Sequence, residues 1–270
     1  MSNSTTDDVV LYEVREPGIA LLTLNRPERL NAWNGQLAAR YFELLDQAAA
    51  DPAIKVIVVT GAGKGWCAGA DMETLQGIGQ SAGQAPGSVD SAAAGREQWF
   101  TTTVPKPVIA AINGACAGIG MVQALMCDLR FAAAGAKFTT AFARRGLIAE
   151  YGMSWILPRL IGTARSLDLL MSGRVILAEE AAAMGLVNEV VAPEHLLERT
   201  LEYAADLAIN SSPTSMSIMK QQVYRDQTRD VSAATDDAIE LMKASLRRPD
   251  FKEGVSSFLQ RRPPDFAPLS

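Results

Sequence analysis

Two stretches of this chain could hold a developing negative charge with backbone amides alone. The first, VIVVTGAGKGWCAGADM at residues 56–72, runs from a β-branched segment into Gly61, Gly63 and Gly65. The small residues Cys67-Ala68-Gly69-Ala70 follow, ahead of Asp71. The second, VIAAINGACAGIGM at residues 108–121, runs into Gly114, Gly118 and Gly120. Small residues leave N–H groups uncovered, so a ligand oxygen can approach closely. A helix starting near Gly120 would add free N–H groups and the positive end of its dipole. Two such turns facing one another would stabilise an oxyanion with no charged side chain. Either turn taken alone reads equally well as a plain tight turn. The single histidine, His195, lies in the polar run PEHLLE at the expected start of a surface helix,. A serine or cysteine hydrolase built on a histidine base is thereby nearly excluded.

The turns need elements to hold them. Residues 9–14 and 19–24 are short apolar runs separated by Glu16-Pro17-Gly18, a hairpin signal,. From Asn34 onward, Leu37, Tyr41, Leu44, Leu45 and Ala48 recur at helical spacing,. Residues 56–60 and 108–112 read as strands buried on both faces. Between them, residues 76–95 are rich in Gly, Ser, Ala and Gln, a composition suited to a mobile loop or lid,. Helical patterns dominate beyond residue 150, at 151–161, 163–172, 178–184, 194–208, 213–224, 231–246 and 251–260. One strand is expected among them at 186–191. The organisation expected is a strand-rich body over 1–200 and a helical C-terminal region over 201–270.

Bulk properties set outer limits. The chain has 270 residues, 48% of them hydrophobic and 20% charged, which describes a globular protein with a substantial core,. A formal charge of -5 and the lack of any basic run argue against a nucleic-acid partner,. No stretch approaches the roughly 18–20 apolar residues that a membrane span needs. The polar, acidic start MSNSTTDDVV reads as neither signal nor transit peptide,. Cys67, Cys116 and Cys127 show no metal-like spacing; they are expected to be buried, in keeping with a cytoplasmic location,.

Five segments in order carry a resemblance: LNRPERLNAW (24–33), GWCAGADM (65–72), NGACAGIGM (113–121), LPRLIG (157–162) and FKEGVSSFLQRR (251–262). Together they resemble the successive motifs of the enoyl-CoA hydratase/isomerase (crotonase) family, from about residue 10 to 262. The resemblance implies an α/β fold, a spiral of repeated β-β-α units with a helical C-terminal region that assembles trimers or dimers of trimers. It implies an acyl-CoA thioester as substrate, with no cofactor beyond the coenzyme A that the substrate carries. The oxyanion hole would use the N–H groups of Ala70 and Ile119. Arg29, Leu30, Ala68, Asp71 and Met72 would meet coenzyme A, and Lys252 with Phe251 would reach a neighbour's ligand. Trp66, Val122 and Phe142 suggest an apolar acyl pocket.

The carboxylates depart from that pattern. Family hydratases place one glutamate where this chain has Val122, and another, in a Pro-Glu pair, where it has Ala141-Phe142. Neither valine nor phenylalanine can activate water or manage an α-proton, so the ordinary two-glutamate hydration is not expected. Glu150 stands out instead, after Leu147-Ile148-Ala149. It resembles the position where dienoyl-CoA isomerase-like and aromatic-acyl-CoA dehalogenase-like members carry an aspartate. Apolar neighbours invite a raised pKa; equally, Glu150 could be an acidic residue favoured by the dipole of a first helical turn. Tyr151 is a second candidate for moving a proton. Two rival readings differ in class. A short-chain dehydrogenase would need a Tyr-x-x-x-Lys pair, which none of the five tyrosines supplies,. A non-catalytic acyl-CoA binder that lost the glutamates is the other, and the direction in which Glu150 points separates it from an enzyme.

Overall fold

A computed structural model describes residues 8–71 and 96–269. The 76–95 segment, Met72 and Glu73 therefore lie outside the described residues.

The chain opens with a hairpin. Strand β1 (Val10–Arg15) runs antiparallel to β2 (Ile19–Leu24), with Val10 opposite Leu24. Helix α1 (Gly35–Ala50) follows, capped by the Asn34 side chain, which accepts from Leu37 N at 2.9 Å,. Three similar units come next, each a long strand, a tight turn and a short strand. They are β3 (Val56–Gly61) with β4 (Gly65–Cys67), β5 (Val108–Ile112) with β6 (Ala115–Ala117), and β7 (Leu129–Ala133) with β8 (Lys137–Thr139). Helix α2 (Ile119–Met126) follows the second unit. Long strands join one sheet of order β1-β2-β3-β5-β7-β10, short ones a second sheet of order β4-β6-β8-β9, where β9 is Ile176–Leu177 and β10 Glu189–Val191. In the six-stranded sheet all pairings from β2 to β10 are parallel, and in the second sheet only β8 with β9 is antiparallel. The turn inside each unit thus carries the chain from one sheet to the other, which winds the chain into a spiral. As expected, β3 and β5 are buried on both faces, the mark of central parallel strands,.

The remaining helices are α3 (Met153–Ile161), α4 (Thr163–Ser172), α5 (Ala178–Met184), α6 (Leu196–Asn210), α7 (Pro213–Asp226), α8 (Val231–Ser245) and α9 (Pro249–Gln260). The boundary expected at residue 200 falls inside α6, which packs against β2, β3, β5 and β7 and so belongs to the body. The strand expected over 186–191 is shorter, because Leu186 N is taken by Ala181 O at 2.8 Å in closing α5. His195 is exposed at the N-cap of α6, 3.3 Å from Glu198. All three cysteines are free and buried.

Helix α7 is fastened to the body by a buried polar cluster. Lys220 Nζ donates to Asp128 Oδ2 at 2.7 Å and to the carbonyls of Thr101 and Lys106, each at 3.1 Å. Tyr224 donates to Asp128 Oδ1 at 3.2 Å, and Val108 N to Oδ2 at 2.8 Å. Beyond α7 the packing thins: α8 has no buried residue and α9 has only Ser257. Among the described residues, no helix is long and apolar enough to cross a membrane.

Candidate active site

The two glycine turns meet. Strands β4 and β6 are parallel neighbours, so Gly69 and Gly118 leave the sheet side by side. Gly69 has φ +109°, and a Cβ there would lie 3.2 Å from Ala117 O; one on Gly118, at φ +51°, would lie 3.9 Å from Gly69 Cα. Side chains at these positions would be strained and would fill the space between the turns. Ala70 pairs with Trp33 in a lone parallel bridge that uses Gly69 O and Asp71 N. The intervening Ala70 N–H therefore points to the opposite side. Ile119 is the first residue of α2, whose opening bond is Val122 N to Gly118 O at 3.0 Å. Its N–H consequently has no carbonyl within the helix.

Asparagines hold this geometry. Asn31, fully buried at φ +56°, accepts from Arg26 N at 2.8 Å and donates to Ala62 O at 3.0 Å and Gly65 O at 2.8 Å. Asn113 accepts from Gly61 N at 3.2 Å and donates to Gly63 O at 3.0 Å and Gly65 O at 3.3 Å. The two side chains lock the 61–65 turn from both sides. Arg26 adds a strut, with Nη2 2.8 Å from Asp71 Oδ2 and Nη1 2.6 Å from Ala32 O. Sequence reasoning passed over these three residues. The usable signal was Asn31 a few residues after β2, since Asn tolerates a left-handed backbone,.

The coenzyme A candidates fall in different settings. Arg29 and Leu30 are exposed at the end of a short 3-10 turn, with Leu30 at φ 49° and its carbonyl accepting from Ala68 N at 3.0 Å. Ala68 is half-buried beside them. Asp71 differs, because its carboxylate is buried against Arg26 rather than turned outward. Lys252 is exposed on α9. Trp66, expected to line a pocket, is 0% exposed, with its indole N–H on Val59 O at 3.3 Å. That places its ring in the core between the sheets. Val122 and Phe142 are buried as well, and Ala141 before Phe142 has φ +59°.

Glu150 is half-buried in the turn before α3, and its carbonyl accepts from Met153 N at 2.9 Å. The helix expected from residue 151 begins at Met153 because Tyr151 (φ +53°) and Gly152 (φ +81°) are left-handed. Glu150 is therefore not in a first helical turn, and the helix dipole does not account for it. Burial pushes its carboxyl pKa above the ordinary glutamate value,. Helix α3 packs on α2, and a Cβ on Gly152 would lie 3.3 Å from Met126 Cε. Among the described residues, no group of three His, Cys, Asp or Glu is placed to hold a metal.

Comparison with known proteins adds to this geometry. The family described as enoyl-CoA hydratase/isomerase matches residues 14–268. The chain belongs to that family. It is an enzyme of the hydratase/isomerase type, and its crotonase fold matches solved members along nearly its whole length. A 1,2-epoxyphenylacetyl-CoA isomerase of Escherichia coli is 37% identical over 258 residues, covering 93% of this chain and 95% of the relative. A crystal structure of an enoyl-CoA hydratase from Mycobacterium marinum is 56% identical, with TM-score 0.70, covering 82% of this chain and 100% of the other. A putative enoyl-CoA hydratase of Streptomyces coelicolor superposes with TM-score 0.88 at 28% identity, covering 98% and 99% of the two chains.

Proposed function

We propose that this crotonase-family enzyme isomerises an enoyl-CoA thioester, with Glu150 as the single acid/base and the Ala70 and Ile119 N–H groups as the oxyanion hole. The observation that carries the reading is one half-buried carboxylate in the turn that leads into α3, the helix packed on α2, while Val122 and Phe142 stand where the family's hydratases carry glutamates. The thioester oxygen lies between the two turns and accepts both N–H groups. The Glu150 carboxylate removes a proton from the carbon chain, and the electron pair passes into the thioester as a dienolate. Protonated Glu150 then returns the proton two carbons away, and the double bond has moved. No water is consumed, so one carboxylate suffices. Coenzyme A enters and leaves as part of the substrate. The name of the Escherichia coli relative supports an isomerase over a hydratase, while other relatives are named hydratases.

The test compares wild type with Glu150→Gln on a panel of enoyl-, dienoyl- and hydroxyacyl-CoA thioesters, with mass-resolved products. Turnover falls by roughly 10²–10⁴ while acyl-CoA affinity is kept, because Gln preserves shape and removes only the proton carrier. Full activity in Glu150→Gln overturns the mechanism. Equal affinity for a thioester and its free acid overturns the substrate class.

A further inference from the structure

Three enclosed polar atoms near α2 lack partners. Gln123, on α2, is 0% exposed and Gln98 is 2% exposed. Gln123 Nε2 donates to Gln98 Oε1 at 2.6 Å and to Gln98 O at 3.3 Å. Because Nε2 faces two oxygens, turning the Gln123 amide over would set oxygen against oxygen. Turning over Gln98 would set nitrogen against nitrogen, so the contacts themselves fix both orientations. Gln123 Oε1, an acceptor, and Gln98 Nε2, a donor, are left with no partner. Trp33, 4% exposed and paired through its backbone with Ala70, has an equally unpartnered indole N–H.

Gln123 shares α2 with Ile119, the residue that follows the second glycine turn. Gln123 follows Ile119 by four residues, so it lies on the same face of α2, about 6 Å further along the axis. Gln98 precedes the short helical turn Phe100–Thr103, which packs on α1 and α2. Aromatic rings join the two sides: Trp33 to Phe42 at 6.2 Å, and Phe42 to Phe100 at 6.0 Å. Among these rings the polar groups are the Tyr41–Thr101 hydroxyl pair, in contact at 3.4 Å, the Trp33 indole N–H, and one free donor and one free acceptor on the amide pair. Buried amides are as a rule satisfied, and half-satisfied pairs are costly, so these two atoms call for a group that both accepts and donates.

We propose that Gln98 and Gln123 recognise a hydroxyl group on the acyl chain, so that the substrate is a hydroxylated acyl-CoA. The hydroxyl oxygen accepts from Gln98 Nε2 and its hydrogen is donated to Gln123 Oε1. This rests on the acyl-CoA reading above but not on the role of Glu150. A purely apolar chain would leave both amides unmet, and a site built around such hydrogen bonds discriminates strongly against the analogue that lacks them.

Equilibrium binding tests the idea without turnover. Hexanoyl-CoA and its 3-, 4-, 5- and 6-hydroxy derivatives are titrated into wild type by calorimetry. At least one hydroxy isomer binds tenfold or more tighter than hexanoyl-CoA, and Gln123→Met and Gln98→Met each bring that ratio to about one. If no isomer exceeds hexanoyl-CoA, the inference is overturned and the acyl-CoA reading stands; a structural water alone then meets the amides. A ratio unchanged in both variants likewise overturns it. If no thioester binds at all, both readings fall. Should the variants not fold, the wild-type series alone decides.

Discussion

Glu150 sits where burial, rather than a neighbouring charge, controls its proton, since desolvation is the cause of its raised pKa. Two consequences of opposite kind follow at this residue. A base must be ionised, so kcat/KM falls on the acid side with a midpoint above the ordinary glutamate value of about 4.3. A pH–rate profile with its acid limb at or below that value contradicts the assignment. Stability moves the other way. Above its folded pKa the group is charged in both states and the desolvation penalty counts in full. Below its unfolded pKa it is neutral in both and the penalty vanishes. Glu150→Gln therefore raises Tm most at neutral and alkaline pH, with the gain shrinking on acidification; thermal scans from pH 4 to 8 read this directly. A Tm difference constant across that range would place Glu150 in water.

At the scale of elements, the site is a relation between two turns. Asn113 fixes β4 against β6, and thereby Ala70 against Ile119, through bonds to Gly61, Gly63 and Gly65. Asn113→Ala strands those backbone groups at a cost of roughly 1–3 kcal/mol. If Ala70 and Ile119 are the oxyanion donors proposed above, its turnover drops by about tenfold or more while thioester affinity changes less, because their placement is what is lost. Circular dichroism melts and steady-state kinetics check both halves; unchanged kcat with lowered Tm would reduce Asn113 to a stability residue. Much of this level was legible beforehand. Strands β2 and β5 and helices α4 and α5 lie where apolar runs and helical spacing put them, because each has enough residues to show a period. Strands β4, β6, β8 and β9 have two or three residues each, too few for any period, and they form the sheet that carries the turns. The left-handed step at Tyr151 was equally hidden, since tyrosine carries no preference for it and only tertiary packing selects it. Ala70 and Ile119 were singled out only through the family resemblance; nothing local marked Trp66 as core or Asp71 as paired with Arg26.

For the whole molecule, the question is what joins the helical C-terminal part to the spiral and what covers it. The join is Lys220 on Asp128. Lys220→Met leaves that carboxylate enclosed without its cation, and the loss is about 3 kcal/mol or more, read as a shift in the urea midpoint. A change below about 1 kcal/mol would mean water reaches Asp128. Among the described residues of one chain, nothing covers the helical C-terminal part. Phe258 and Leu259 of α9 are 82% and 74% exposed, and α9 lines a groove of about 640 Å³ with Met216, Met219 and Phe266. Patches of this kind mark interaction surfaces, and we expect a trimer or hexamer by light scattering at micromolar concentration. A monomer there contradicts the expectation.

The left-handed backbone at Ala141 limits which residue can stand there. Where family hydratases carry Pro-Glu, this chain turns with φ +59°, a value closed to proline, whose ring fixes φ near −65°. Glutamate at Val122 and Phe142 would supply two carboxyl groups, one on α2 and one directly after a backbone step that proline cannot take,. The difference from the two-glutamate pattern thus extends into the main chain, and exchanging those two side chains does not remove it.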